Sequence, residues 1–137
     1  MAIGGVLFDI DGVLVTSWEP IAGAADTLRV LADHQIARTY LTNTTTKTRA
    51  QIATLLSDAG MEVSADEVIT AAVLTANYVR DRYPGGARCF LVNSGQIAED
   101  MHGVDVATHT RCPGPTATPP DVVLLGGAGG RSTTTSR

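Results

Sequence analysis

Two carboxylates stand two residues apart in Phe8-Asp9-Ile10-Asp11-Gly12-Val13-Leu14, directly after an apolar run. In a strand, residues i and i+2 point to the same side. Asp11 falls where strand gives way to loop, so both carboxylates can approach one site. Held together they repel and invite a divalent cation, most naturally Mg²⁺, which prefers oxygen ligands. The pair also permits a division of labour, with one carboxylate as nucleophile and the other as general acid and base. Gly12 lets the backbone turn sharply and brings N–H groups towards an anion. The plain alternative is a pair of aspartates ending a strand in solvent; the apolar run before them and Gly-Val-Leu after them argue against it.

A second cluster, Leu41-Thr42-Asn43-Thr44-Thr45-Thr46-Lys47, lies at the end of another apolar stretch. A hydroxyl and several backbone N–H groups just before a helix form a natural phosphate cradle. Alone, the cluster is a weak signal and reads more readily as a Thr-rich helix cap. Beside the first cluster it completes a constellation: a nucleophile, an acid/base and a phosphoryl cradle at the carboxyl ends of neighbouring strands, where ligands of open α/β sheets bind.

The elements that must position these residues follow from hydrophobic spacing. Ile3 to Asp9 forms a short apolar strand of the kind buried in a parallel sheet. Residues 12–20 read as an irregular loop, and Pro20 as the opening of a helix. Ala24, Ala25, Leu28, Leu31 and Ala32 follow helical spacing and would face a core. Arg38 to Leu41 reads as a second strand. Ile52, Leu55, Leu56 and Ala59 stripe a second helix, which Gly60 would end in the left-handed conformation. Ser64 and Glu67 fit a capping box that starts another short helix. The alternation of strand and helix argues for a parallel sheet with right-handed crossovers. A further unit begins near Thr70, with a helix over 71–83 stopped by Pro84-Gly85-Gly86 and a strand from Cys89 to Val92. A short helix around Ile97 to Met101, a turn-rich loop over 111–120 and an apolar strand over 121–125 follow. Residues 126–137 carry no apolar side chain larger than alanine, where a parallel strand would normally feed a crossover helix. They read as a flexible polar end. Either the terminus is frayed, or downstream sequence is missing by truncation or a shifted reading frame.

With these clusters on one scaffold, the sequence resembles the haloacid dehalogenase superfamily of phosphotransferases. Asp9-x-Asp11-Gly12-Val13-Leu14 is similar to its first motif and Leu41-Thr42-Asn43 to its second. Thr42 to Ala50 is similar to the subgroup with a large α/β cap inserted after that motif, the NagD-like and phospholysine phosphohistidine inorganic pyrophosphate phosphatase-like hydrolases. The resemblance implies an α/β fold: a partial Rossmann-like core over 1–69, part of an α/β cap over 70–127, and a polar tail over 128–137. It implies a Mg²⁺-dependent phosphatase acting on small phosphorylated compounds. Asp9 would be the nucleophile that forms an aspartyl-phosphate, and Asp11 the acid/base. The Asp9 carboxylate and the Asp11 backbone carbonyl would hold Mg²⁺. Gly12, Thr42 and Asn43 would bind the phosphoryl group. The family's third motif supplies a lysine and its fourth supplies acidic Mg²⁺ ligands. This chain has a single lysine, Lys47, in the second-motif region, where it reads as a solvated residue at a helix start, and it has no Gly-Asp-Asp run. The competing expectation is therefore a catalytically silent fragment or interaction module.

Composition narrows the field. Hydrophobic residues make up 44% and charged residues 18%, a globular balance. A net charge of −4 disfavours a basic nucleic-acid surface or polybasic membrane patch, and 4% aromatic residues leave little for base stacking. No apolar run is long enough to span a bilayer, and the N-terminus lacks the features of a signal peptide. Cys89 and Cys112 form no CxxC pair and read as free thiols. The expected setting is the cytoplasm, with a small phosphorylated substrate and a homo-oligomer admitted. The remaining candidates rank low. His34 reads as a helix-end residue, and His109 with Cys112 as too few ligands for a metal. Asn93-Ser94-Gly95 reads as a turn or as a reach towards substrate from the cap. Trp18 reads as simple packing or as a gate in the loop after the first motif.

Overall fold

The structure, a computed structural model, describes residues 3–108 and 118–127. It is built from two three-stranded parallel sheets. In the first, β1 (Gly5–Asp9) pairs with β4 (Ala37–Thr42), and β4 pairs with β5 (Val68–Thr70). The register sets Asp9 opposite Leu41 and Thr42 opposite Thr70, so three strand ends finish at one level. In the second, β6 (Arg88–Val92) lies between β7 (Asp105–Thr108) and β8 (Val122–Leu125). The expected α/β class with parallel sheets is the one observed.

Helix α1 (Ala24–Asp33) buries Ala24 and Leu28, and α2 (Arg49–Asp58) buries Ile52, Ala53 and Leu56. Ala24, Leu28, Ile52 and Leu56 meet Ile10, Leu14, Val15, Tyr40 and Val68 in the first core. Leu31, Leu55 and Ala59 are half-buried, but Ala32, expected to face the core, is exposed one residue before α1 ends. Helix α3 (Ala71–Arg82) turns Ala72 and Ala76 towards Leu91, Ile97 and Met101, which form the core of the second sheet. Gly60 takes φ +82 after α2, as its position requires. The Ser64–Glu67 capping box forms as expected, although it opens only a single 3-10 turn, Ala65–Glu67.

Pro20 does not open a helix. It pairs with Val15 in a hairpin of β2 (Val15–Thr16) and β3 (Glu19–Pro20), and α1 begins at Ala24 with Gly23 as its cap. The hairpin turns through Ser17 (φ 52) and Trp18 (φ 68), both left-handed, without the glycine or asparagine that normally marks such a turn. That missing signature is why the segment reads as a plain loop in sequence. Strands β5 and β7 were also illegible: β5 is three residues set between a capping box and α3, and β7 has no clear apolar alternation. The expected short helix near Ile97 is a 3-10 turn over Ile97–Asp100. Part of the expected loop over 111–120, the His109–Cys112 pair and the tail over 128–137 lie outside the described residues.

Strand β1 stands at the edge of its sheet, and Leu7, on the face opposite Val6 and Phe8, is 70% exposed; Leu125 on β8 is 80% exposed. Open edges and apolar surface favour association. The chain should therefore show concentration-dependent sedimentation that Leu7→Lys reduces, with stability changed by no more than about 0.5 kcal/mol, as for other surface substitutions. A clean monomer at every concentration would rule this out.

Tyr40 is fully buried, stacked on Phe8 at 6.0 Å, and its buried hydroxyl has no hydrogen-bond partner among the described residues. Burial raises its pKa above the ordinary value of 10.0, against the pull of Arg38. Tyr40→Phe removes an unpaired polar atom and should stabilise by about 1 kcal/mol in urea unfolding. The sign of the pH effect follows. Unfolded tyrosine ionises first, so wild-type stability is intact below pH 10.0 and falls as pH rises through the raised folded value. The alkaline loss should be smaller in Tyr40→Phe. A stability loss above about 1 kcal/mol would mean that the hydroxyl has a partner after all.

Candidate functional site

The site begins with the end of β1. The strand delivers Asp9 at its last position, and the chain then turns through Gly12 at φ +80. The turn is held from within: Leu14 and Val15 N–H both donate to the Ile10 carbonyl, and Gly12 N–H donates to the Val15 carbonyl at 2.7 Å. The Gly12 amide, expected to face a phosphoryl group, is here engaged inside the turn. An open cleft of about 510 Å³ lies above these strand ends, lined by Asp9, Asp11, Leu41, Thr42, Asn43, Ala71 and Leu74. Asp9 and Asp11 are both exposed to it.

Across the cleft, β4 ends at Thr42, whose side chain is buried. The Thr42 hydroxyl accepts from Thr44 N–H at 3.1 Å, which folds the loop back on itself and leaves the hydroxyl proton free to point elsewhere. Asn43 is exposed beside it. The Thr-rich cluster is not itself the cap of α2. Thr48 is the cap, in a reciprocal box with Gln51. The first amide of α2, that of Arg49, donates to Asp100 at 2.7 Å, and the Arg49 guanidinium meets the same carboxylate at 3.3 Å. The helix end that the sequence offered to a phosphate thus already holds a carboxylate, and Thr42 and Asn43 are the residues of this loop that line the cleft.

Lys47 does not lie in the helix either: it precedes the Thr48 cap, with its ammonium 5.6 Å from the centre of the Trp18 ring, within cation–π range. Trp18 is half-buried and packs on the first core while carrying that lysine. His34 is the C-cap residue of α1, as read. Asn93 is 5% exposed, and its carboxamide reaches the Thr45 carbonyl on the loop beyond Asn43. Two cleft residues escaped sequence reasoning, Ala71 and Leu74. They belong to the first turn of α3, which starts where β5 ends beside β4. Only the pairing of Thr42 with Thr70 brings that turn to the site.

The two carboxylates and nearby carbonyls offer oxygen donors alone, which fits a hard cation that keeps much of its water. Among the described residues no group of three or more His, Cys, Asp or Glu side chains comes together. Cys89 is buried, and desolvation raises its thiol pKa, so it is not poised as a nucleophile. No described helix is long and apolar enough to cross a membrane.

Residues 6–107 match the family of haloacid dehalogenase-like hydrolases, a span that opens three residues before Asp9 and ends in β7. The chain belongs to that family. Within the haloacid dehalogenase-like hydrolases it falls in the NagD-like branch. The acid sugar phosphatase of Staphylococcus haemolyticus is 33% identical over 110 residues, 74% of this chain and 42% of the relative. That of Staphylococcus saprophyticus is 36% identical over 89 residues, 65% of this chain and 34% of the relative. NagD of Escherichia coli K-12 superposes with a TM-score of 0.75 at 26% identity, over 93% of this chain and 48% of NagD. A 4-nitrophenylphosphatase of Thermotoga maritima shares the fold, with a TM-score of 0.73 at 22% identity, over 90% of this chain and 44% of its own. The chain thus spans less than half the length of these haloacid dehalogenase-like relatives.

Proposed function

We propose that this chain carries the nucleophile half of a Mg²⁺-dependent phosphatase that acts on small phosphorylated compounds through an aspartyl-phosphate. The observation that carries the reading is the convergence of Asp9, Asp11, Thr42 and Asn43 on one open cleft at the ends of two paired parallel strands. The relatives named as acid sugar phosphatases support the substrate class. In this reading residues 1–69 belong to the catalytic core and 70–127 to part of its cap.

The chemistry assigned to each residue follows from its place. An Asp9 carboxylate oxygen attacks phosphorus and forms a new P–O bond as the bond to the leaving oxygen breaks. Asp11, two residues on and facing the same cleft, donates its proton to that leaving oxygen. It then takes a proton from the water that attacks the acyl phosphate, which releases inorganic phosphate and regenerates Asp9. The Thr42 hydroxyl and the Asn43 backbone hold the non-bridging oxygens. The Asp9 carboxylate and the Asp11 carbonyl would hold Mg²⁺, which neutralises charge on the phosphoryl group.

Mn²⁺-induced broadening of protein NMR signals should centre on Asp9 and Asp11, and inorganic phosphate should bind only with the metal present. Equal metal binding by the Asp9→Ala, Asp11→Ala double variant would remove the site. A second reading, a catalytically silent binding module, is favoured by one observation: the single lysine sits over the Trp18 ring and does not line the cleft. Metal-independent phosphate binding would support that reading instead.

A further inference from the structure

We propose that Asn93 is a positioning residue that fixes the loop carrying Thr42 and Asn43 from the second sheet; the consequence for phosphate rests on the phosphatase reading above. Asn93 follows β6 directly and is 5% exposed. A polar side chain buried to that degree must be satisfied, and its partners come from three segments. Its Nδ2 donates to the Thr45 carbonyl at 2.5 Å and at longer range to the Gly127 carbonyl at 3.4 Å. Its Oδ1 accepts from Gly95 N–H at 2.5 Å. The clamp closes from the other side as well: Gly127 N–H donates to the Thr45 hydroxyl at 2.7 Å, and Gly126 N–H donates to the Val92 carbonyl at 2.9 Å. The ends of β6 and β8 thus grip one residue, Thr45, three positions beyond Thr42.

The glycines show that this fit leaves no slack. A Cβ at Gly126 would fall on the Asn93 carboxamide, and one at Gly95 on the Thr46 carbonyl. A Cβ at Gly127 would lie 2.9 Å from the Thr45 hydroxyl. None of the three has a positive φ, so space rather than backbone conformation selects glycine there. Three glycines and a buried carboxamide packed against Thr45 and Thr46 make the second sheet a seat for that loop. A displacement of the order of 1 Å at such a loop is enough to cost roughly tenfold or more in ligand affinity or rate.

Trp18 reports the loop directly. It is the single tryptophan, and Lys47, two residues past Thr45, sits over its ring. Asn93→Asp removes both Nδ2 donors but keeps the acceptor for Gly95. In the folded protein it should shift Trp18 emission and weaken binding of inorganic phosphate with Mg²⁺ by roughly tenfold. Gly126→Ala, which pushes on the same carboxamide, should do likewise. Should either variant not fold, Thr45→Val against Thr45→Ser makes the same comparison, because only serine keeps the hydroxyl that accepts from Gly127. If the variants lower the unfolding temperature but leave Trp18 emission and phosphate affinity unchanged, Asn93 only holds the second sheet together and the proposal is overturned. If wild-type protein binds no phosphate, the phosphatase reading fails, and Trp18 emission alone still decides the role of Asn93.

Discussion

Asp9→Asn is expected to abolish phosphoryl transfer, by a factor on the order of 10³ or more, because a carboxamide neither attacks phosphorus nor forms an acyl phosphate. The assay is hydrolysis of 4-nitrophenyl phosphate with Mg²⁺, together with trapping of a hydroxylamine-sensitive phosphoryl group. Two forms should be compared: the 137-residue chain, and the chain joined to the C-terminal half of a relative such as the staphylococcal acid sugar phosphatase. Developing charge on the phosphoryl group needs preorganised cations, and loss of one such stabiliser costs roughly 10²–10³ in rate. The chain's single lysine is turned to Trp18, so turnover should be very slow in the 137-residue form and substantial in the joined one. Asp9→Asn should silence both. Fast turnover by the shorter form, lost in Asp9→Asn, would mean that Lys47 or a second chain supplies the missing charge. Activity that survives Asp9→Asn would remove Asp9 as the nucleophile.

The largest stability effect should come from Asp100→Ala. Asp100 is 8% exposed and serves two groups at once, the first amide of α2 and the Arg49 guanidinium. Removing it leaves the first amide of α2 without its acceptor and the largely covered Arg49 guanidinium with Asp66 alone. Loss of one member of a buried pair costs about 3–5 kcal/mol. Arg49 keeps some solvent and a second carboxylate, Asp66, at 3.7 Å, so a loss of about 2–3 kcal/mol is expected here. Asp100→Asn retains an acceptor for the Arg49 amide and should recover roughly half of that. Urea unfolding measures both. Amide exchange at the start of α2 should quicken in Asp100→Ala and less so in Asp100→Asn. A change below about 0.5 kcal/mol would show that the tie between α2 and the second sheet does not hold in solution.

Asp9, Asp11, Thr42 and Asn43 were legible because their information is local. A continuous apolar run fixes a buried strand, the next residues mark its carboxyl end, and ligand sites of parallel sheets gather at such ends. The helices α1, α2 and α3 were legible for the same reason, through spacing, Gly60 and Pro84. Register and contact between distant segments were not. Ser17 and Trp18 turn a hairpin without its usual residues, since packing of Trp18 on the core holds a backbone that its own preference would not choose. Ala71 and Leu74 reach the cleft only because three residues of β5 pair with β4. Asn93 and Asp100 sit 48 and 51 positions from the groups they bind, a separation that leaves no periodic trace in sequence. Local pattern thus marked which residues stand at the strand ends that line the cleft, and the tertiary structure decided which long-range contacts hold them: a hydrogen bond needs two partners brought together, and only one of them is written at any position in the chain.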